Sequence, residues 1–125
     1  MQLQKLSLIL WTKNLQETIS FYETVLGFKS RSNFPNFASL YKDNVEIMAI
    51  VPTAEPGEEE NFFPKPLLTG SIYIFMKDVD ALWETVKNKA TIKTSICNRE
   101  YWMRDFSITD NNGYEIVFGE DISNH

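Results

Sequence analysis

The chain is poor in the two residue types that most often bind transition metals or act as nucleophiles. Among 125 residues it has one cysteine, Cys97, and one histidine, His125. A single cysteine cannot close an internal disulfide, and one histidine is too few for a usual zinc site or a Cys/His nucleophile pair. We therefore expect Cys97 to be an ordinary thiol.

Long apolar runs and blocks of positive charge are also missing. The chain lacks the stretch of about 20 apolar residues that a membrane span needs, and its lysines and arginines are scattered at a net charge of −5. The first residues carry none of the features of a secretory signal. With 43% hydrophobic residues, the composition predicts a soluble, cytoplasmic, globular protein that binds neither nucleic acid nor a membrane.

What the sequence does contain is a pattern that occurs twice. In the first copy, residues 1–52, an apolar run at 6–11 predicts a strand. A helix is then predicted to begin at Asn14 and to end at Gly27, which suits a left-handed conformation. Three further strands are predicted at residues 28–32, 37–41 and 45–51.

A proline-rich and glutamate-rich segment, residues 53–69, predicts a linker to the second copy. This copy, residues 70–120, begins with a predicted strand at 71–76 and a helix with Asp78 as its N-cap. Later strands are predicted at 91–94, 105–109 and 114–118, before a tail at 121–125.

The two copies align without gaps at both ends. Residues 7–15 lie over 71–79 at an offset of 64, and residues 44–48 lie over 113–117 at an offset of 69. This repeat predicts an α+β fold of two tandem βαβββ modules in one domain, residues 1–125. We expect the modules to form curved mixed sheets around a cleft, with the helices on the outer face.

Strand alternation assigns side chains to the two faces of each sheet. Leu10 should pack on the first helix, whereas Trp11, Tyr73 and Phe75 should point into the cleft. The closing strands should add four residues to the cleft side: Glu46, Met48, Glu115 and Val117. Two alternatives stay open, because such aromatic residues are more often core and such glutamates are more often solvated or salt-bridged.

Three motifs together resemble those of the vicinal oxygen chelate superfamily, which includes glyoxalase I, ring-cleaving dioxygenases, and the fosfomycin and bleomycin resistance proteins. They are FYETVLGF at 21–28, DVDAL at 78–82, and RDF at 104–106 followed by DNNGY at 110–114. The last looks most like the bleomycin resistance branch. The resemblance covers nearly the whole chain and implies the same paired βαβββ fold.

The resemblance also implies where a metal would be held, namely on the first and last strand of each module. Those positions fall on Ser7, Met48, Ser71 and Val117. Methionine and valine offer no hard oxygen, and a neutral serine hydroxyl binds divalent cations weakly. We therefore predict no metal, no other cofactor and no catalytic residues.

The leading functional hypothesis is a metal-free binding protein of the bleomycin resistance type, a homodimer that sequesters a small aromatic or cationic compound. Its predicted ligand-binding residues are Trp11, Glu46, Met48, Tyr73, Phe75, Trp102, Glu115 and Val117, with residues 33–37 as a rim. One alternative is a metal-independent lyase or isomerase that uses Glu46, Glu115 or Tyr73 as acid or base. Another is a regulatory or partner-binding module.

Overall fold

A computed structural model describes residues 1–32, 34–52 and 68–123. The chain divides into unit 1, Met1–Pro64, and unit 2, Lys65–His125. In the described residues each unit has one helix and one mixed four-stranded sheet, so the predicted α+β fold of two βαβββ modules is confirmed. Most of the predicted linker lies outside the described residues, as does Asn33 of the predicted rim.

Unit 1 has its first and last strands side by side. Its elements are β1 (Leu8–Trp11), α1 (Leu15–Thr24), β2 (Lys29–Arg31), β3 (Phe37–Lys42) and β4 (Val45–Ile50). The strand order is β1-β4-β3-β2, with β1 parallel to β4 and the other neighbours antiparallel. A parallel pair needs a long crossover, and here α1 and the two intervening strands supply it.

The ends of α1 follow the sequence signals. The Asn14 side chain accepts a hydrogen bond from the backbone N–H of Glu17 at 3.0 Å, which satisfies one free donor of the first turn. Gly27 has a φ of +74°, the left-handed conformation that glycine adopts most readily. Inside the unit, the fully buried Tyr22 meets Phe28 edge to face, with ring centroids 5.6 Å apart.

Unit 2 repeats this arrangement with longer strands. Its elements are β5 (Ile72–Phe75), α2 (Val79–Val86), β6 (Thr91–Asn98), β7 (Met103–Thr109) and β8 (Glu115–Asp121), in the order β5-β8-β7-β6. Strands β6 and β8 extend beyond their predicted ends, residues 94 and 118. The cause is continued pairing with β7, which reaches Asn98↔Arg104 on one side and Met103↔Asp121 on the other.

The start of α2 differs from the prediction in its chemistry. Asp78 is the N-cap residue, but its φ is +59° and its side chain makes no capping hydrogen bond. Instead, Oε1 of Glu120 in β8 accepts a hydrogen bond from the backbone N–H of Val79 at 3.0 Å. A carboxylate near a helix N-terminus is electrostatically favourable, and here it comes from a distant strand.

Each helix packs on the aliphatic side of its own sheet. In unit 1 the buried residues on that side include Leu10, Leu40 and Ile47. In unit 2 the Trp83 ring of α2 meets buried Phe106 at 5.1 Å. Neither helix in the described parts of the chain has the length and apolar character that a membrane crossing needs.

Candidate functional site

Each sheet has an open face, the side turned away from its helix. The register of the strands shows that corresponding positions of the two units carry different residues. In unit 1 the open face is formed by Ile9, Trp11, Phe37, Glu46, Met48 and Ile50, and the corresponding residues of unit 2 are Tyr73, Phe75, Asp105, Glu115, Val117 and Gly119.

The open face of unit 1 presents large apolar side chains to solvent. Ile9 is 58% exposed and Trp11 is 42% exposed, although both lie within strand β1. Met48 of β4 pairs with Ile9, and Ile50 pairs with Trp11. The structure therefore brings the predicted residues Trp11 and Met48 to one surface of unit 1.

Glu46 is held in a fixed position on this face by one donor from strand β3 and two donors from the segment that precedes β1. It accepts hydrogen bonds from Ser39 Oγ at 2.6 Å, Lys5 Nζ at 2.9 Å and Ser7 Oγ at 2.8 Å. These bonds favour the ionised form, Ser39 most strongly, and lower the pKa of Glu46 to about 2. At neutral pH the carboxylate is therefore ionised, and both of its oxygens already accept hydrogen bonds.

In unit 2, two predicted aromatic residues form one surface. The rings of Tyr73 and Phe75, at alternate positions of β5, have their centroids 5.1 Å apart with an interplanar angle of 52°. Phe75 is 71% exposed, whereas Tyr73 is partly buried. The Phe75 ring is thus the accessible part of this aromatic pair.

The hydroxyl of Tyr73 reaches a buried carboxylate, Asp105 in β7, which is only 3% exposed. Tyr73 and Tyr101 each donate a hydrogen bond of 2.9 Å to the same oxygen, Oδ2 of Asp105. Arg99 donates from Nε to the other oxygen, Oδ1, at 2.7 Å. Both carboxylate oxygens are therefore bonded, as a buried charge requires.

The protonation states of this cluster follow from these contacts. Burial works to raise the pKa of Asp105, but the hydrogen bonds from Arg99, Tyr73 and Tyr101 outweigh it and keep that pKa below its ordinary value. Burial and the bond to Asp105 raise the pKa of both tyrosines. At neutral pH the carboxylate is ionised and both phenols keep their protons.

Gly119 makes room for the Tyr73 ring. A Cβ built on Gly119 would stand 2.7 Å from Cζ of Tyr73, closer than side chains tolerate. The corresponding position in unit 1 is Ile50, and the position that corresponds to Asp105 is Phe37. Where unit 1 has an apolar pair, unit 2 therefore has a glycine and an acid, and the Tyr73 side chain crosses the glycine to reach the acid.

The other predicted residues of unit 2 are Glu115 and Val117 in β8 and Trp102 in the turn before β7. Glu115 forms an ion pair with Lys93 of the neighbouring hairpin at 3.3 Å, and Val117 pairs with Tyr73 in the ladder. Trp102 lies in the turn between β6 and β7 with a φ of +64°, next to Tyr101. Its side chain is exposed.

Sequence reasoning missed Arg99, Tyr101, Asp105 and Gly119. A usable signal was present for Asp105, because it alternates with the buried Phe106 and must face the opposite side of β7. A buried acid at that position of an inner strand required a partner. Two of its partners, Arg99 and Tyr101, lie at the turn between β6 and β7, and the sequence pattern predicted these two strands too short to place them.

The positions that the family resemblance assigns to a metal do not fit one. In unit 1 they are Ser7, whose hydroxyl is bonded to Glu46, and the thioether Met48. In unit 2 they are Ser71 and Val117, which offer a hydroxyl and a hydrocarbon. Across residues 1–32, 34–52 and 68–123, no three His, Cys, Asp or Glu side chains are grouped so that they could hold a metal ion.

Solved structures share this fold at low sequence identity. A glyoxalase/bleomycin resistance protein/dioxygenase from Nocardioides superposes with a TM-score of 0.76 at 17% identity, over 100% of this chain and 87% of its own. A glyoxalase-related enzyme from Clostridium phytofermentans has a TM-score of 0.73 at 18% identity, over 98% of both chains. A protein from the mobile metagenome of V. Pseudocholerae has a TM-score of 0.68 at 23% identity, over 99% and 98%.

Sequence comparison supports the same relationship. A search of curated proteins finds no match. The sequence model of the glyoxalase/bleomycin resistance protein/dioxygenase superfamily, however, matches residues 5–118, which is nearly the whole chain. The two βαβββ modules agree with that match, and the chain belongs to the glyoxalase/bleomycin resistance protein/dioxygenase superfamily.

Proposed function

We propose that this protein binds and sequesters a small aromatic or cationic compound without using a metal. The observation that carries the proposal is Phe75, a strand residue that is 71% exposed and lies against Tyr73 on the open face of unit 2. A contiguous patch of exposed apolar side chains, unlike a single exposed residue, is typical of a surface that another molecule covers.

The expected gain from covering this ring is substantial for a small ligand. Burying an exposed phenylalanine side chain contributes about 1.5–3 kcal/mol, and a well-oriented aromatic pair adds roughly 0.5–1.5 kcal/mol. In unit 1, Trp11 occupies the position that corresponds to Phe75 and is also exposed. Both aromatic positions favour a ligand with a flat ring or a cation that can lie over one.

Charge supports the proposal less strongly. Glu46 and Glu115 are on the open faces, but Lys5 and Lys93 lie 2.9 Å and 3.3 Å from them. These pairs neutralise much of the negative charge that a cationic ligand would meet. Aromatic contact therefore carries the proposal, and the net charge of −5 adds a general preference for cations.

A metal-independent enzyme is the second candidate, and the electrostatics disfavour it. A general base works best with a pKa near the working pH, whereas the pKa of Glu46 is lowered to about 2. The pKa of Tyr73 is raised by burial and by Asp105, so its phenol remains protonated. Turnover in a panel of metabolites would favour the enzyme over the binding protein.

A partner-binding module is the third candidate, because the exposed Trp11 and Phe75 would also suit a protein surface. Recovery of one specific partner protein in a pull-down would favour it.

We further propose a homodimer, since each four-stranded sheet ends in edge strands that proteins usually cover. Light scattering should then give twice the chain mass of 14.5 kDa.

The biological role that we propose is protection of the cytoplasm by sequestration, as in antibiotic resistance. The family name supports this role, because bleomycin resistance proteins form part of the superfamily. The proposed binding does not require a chemical step.

A thermal-shift screen with aromatic and cationic compounds tests the proposal. A ligand at about 100 times its dissociation constant adds about 2.7 kcal/mol to the free energy of unfolding. Phe75→Ala should remove most of this gain. The control Leu3→Ala truncates an exposed apolar residue outside the sheets and should keep the gain. A hit whose stabilisation survives Phe75→Ala would contradict the proposed site.

A further inference from the structure

The open face of unit 2 holds a carboxylate cluster, which consists of Asp105 and its three donors. Asp105 accepts hydrogen bonds from Tyr73 and Tyr101 through one oxygen and from Arg99 through the other. A second N–H group of Arg99 donates to the backbone carbonyls of Ser95 and Asp105, at 3.1 Å and 3.3 Å. The guanidinium is thereby tied to its own hairpin.

The direction of these hydrogen bonds determines what the cluster can offer to a ligand. An ionised carboxylate only accepts, so each phenol must donate its one proton to Asp105. What remains on each hydroxyl oxygen is acceptor capacity. Since Arg99 balances the charge of Asp105 at 2.7 Å, the cluster presents two acceptors with little net charge.

The spacing of these acceptors suits one particular group. Both hydroxyl oxygens lie 2.9 Å from the same oxygen of Asp105, so they cannot be farther apart than twice that distance. A nitrogen with two N–H bonds reaches acceptors on the order of 5 Å apart with ordinary hydrogen-bond geometry. That span lies within the limit set by the shared oxygen of Asp105, so the spacing is compatible with one NH₂ group placed between the two hydroxyls.

Both tyrosines are exposed beside the aromatic surface, Tyr73 partly and Tyr101 more fully. Tyr101 is 57% exposed in the hairpin turn, and the exposed Phe75 ring lies 5.1 Å from that of Tyr73. A ring lying on Phe75 would thus bring its substituent toward the Tyr73 hydroxyl. The stacking surface and the acceptor pair are parts of one site.

We infer that the hydroxyl oxygens of Tyr73 and Tyr101 form an acceptor pair that selects aromatic ligands with an NH₂ group, such as an aryl amide or amine. This inference rests on the proposed function, because it names the class of compound that the aromatic surface binds. The pair rejects compounds that bring only acceptors, since no proton remains on either hydroxyl to donate to them.

Benzamide and methyl benzoate are suitable probes, because they have similar size and one phenyl ring, but only benzamide carries an NH₂ group. Dissociation constants are measured by NMR titration, following the backbone amides of Phe75 and Gly119. Two added hydrogen bonds should make benzamide bind roughly fivefold to a hundredfold more tightly. Benzylammonium as a third probe separates hydrogen bonding from charge.

The variant Tyr73→Phe/Tyr101→Phe keeps both rings and removes both acceptors, so the ratio of the two dissociation constants should fall to about one. Tyr101→Phe alone removes one of the three side-chain donors to Asp105, from a residue that is 57% exposed, and should reduce the preference partly. Tyr41→Phe is the control, because it removes a phenol hydroxyl from unit 1 and should keep the full preference.

Equal binding of benzamide and methyl benzoate, with shifts at Phe75, would overturn the acceptor pair and leave the proposed function standing. The same conclusion follows if the preference survives in the double variant, or if benzylammonium alone binds. Absence of shifts with all three probes in the millimolar range would overturn both the inference and the proposed aromatic site.

Discussion

Tyr73 lies directly over Gly119, so the absence of a side chain at residue 119 is what lets the tyrosine reach Asp105. The Tyr73 hydroxyl crosses strand β8 at that glycine and donates to Asp105 in β7 at 2.9 Å. The corresponding position in unit 1 is Ile50, which would close the same path. One glycine therefore determines the polar character of the unit 2 face.

Gly119→Ala should displace the Tyr73 ring and break its bond to Asp105. Loss of a hydrogen bond to a charged acceptor costs about 1.5–3 kcal/mol, and the better strand propensity of alanine offsets up to about 1 kcal/mol of that. Chemical denaturation should show a net loss of roughly 1–2 kcal/mol in the free energy of unfolding. In a Tyr73→Ala background the same substitution should cost nothing, and equal costs in both backgrounds would contradict the steric argument.

Two arginines at the β6–β7 hairpin provide a matched comparison. Arg99 pairs with the buried Asp105, whereas Arg104 pairs with Asp80, whose side chain is 59% exposed. Arg99→Met leaves a buried carboxylate without its cation and should cost about 3 kcal/mol. Arg104→Met should cost less than about 1 kcal/mol, because solvent screens the exposed pair. Similar losses in the two denaturation curves would mean that Asp105 is well solvated.

The sequence pattern predicted the fold because the fold depends on local and periodic signals. Alternation placed Leu10 and Ile47 on the helix side, where both are buried, and Gly27 ended α1 as expected. The repeat offsets then related the two modules. The predicted cap of α2 by the Asp78 side chain was wrong. The capping carboxylate is that of Glu120, which is 41 residues from Val79 and so lies outside any local pattern.

The site was predictable only in part, and for a related reason. Tyr73 and Phe75 follow from strand parity alone, so their shared surface was predicted. The bond from Tyr73 to Asp105 joins residues 32 positions apart and requires Gly119 between them. A local sequence pattern cannot predict a contact that involves three strands. The burial of an acid in β7 indicates only that some hydrogen-bond partner must be present.

Neighbouring residues of β1 should differ sharply in what their truncation costs. Leu10 is 7% exposed on the helix side, and Ile9 is 58% exposed on the open face. Leu10→Ala should cost about 2–5 kcal/mol as a core truncation, whereas Ile9→Ala should cost less than about 1 kcal/mol. Urea denaturation measures both. If Ile9→Ala is as damaging as Leu10→Ala, the open face of unit 1 is a closed core and not a binding surface.

The purified protein should contain no stoichiometric transition metal. The positions implied by the family resemblance are Ser7, Met48, Ser71 and Val117, and this donor set binds such ions weakly. Elemental analysis checks the content, and a chelator should leave the midpoint of thermal unfolding unchanged. One equivalent of zinc, nickel, manganese or iron whose removal destabilises the fold would refute this prediction.

Glu46 should make stability depend on pH in the acid range. The pKa of its carboxyl is lowered from 4.5 to about 2 by hydrogen bonds from Ser39, Lys5 and Ser7, so the folded state favours the ionised form. That contribution is complete above the unfolded pKa and is lost as the pH falls from about 4.5 to about 2. The stability of the native protein should therefore fall more steeply in this window than that of Glu46→Gln.

The variant Ser39→Ala should lose stability with a slope between those of the other two proteins, because it removes the strongest of the three donors and keeps the carboxylate. Thermal unfolding across the window measures all three proteins, and carboxyl groups elsewhere, including Asp105, affect them equally. Parallel curves for native protein and Glu46→Gln would show that these hydrogen bonds do not stabilise the ionised carboxylate in solution.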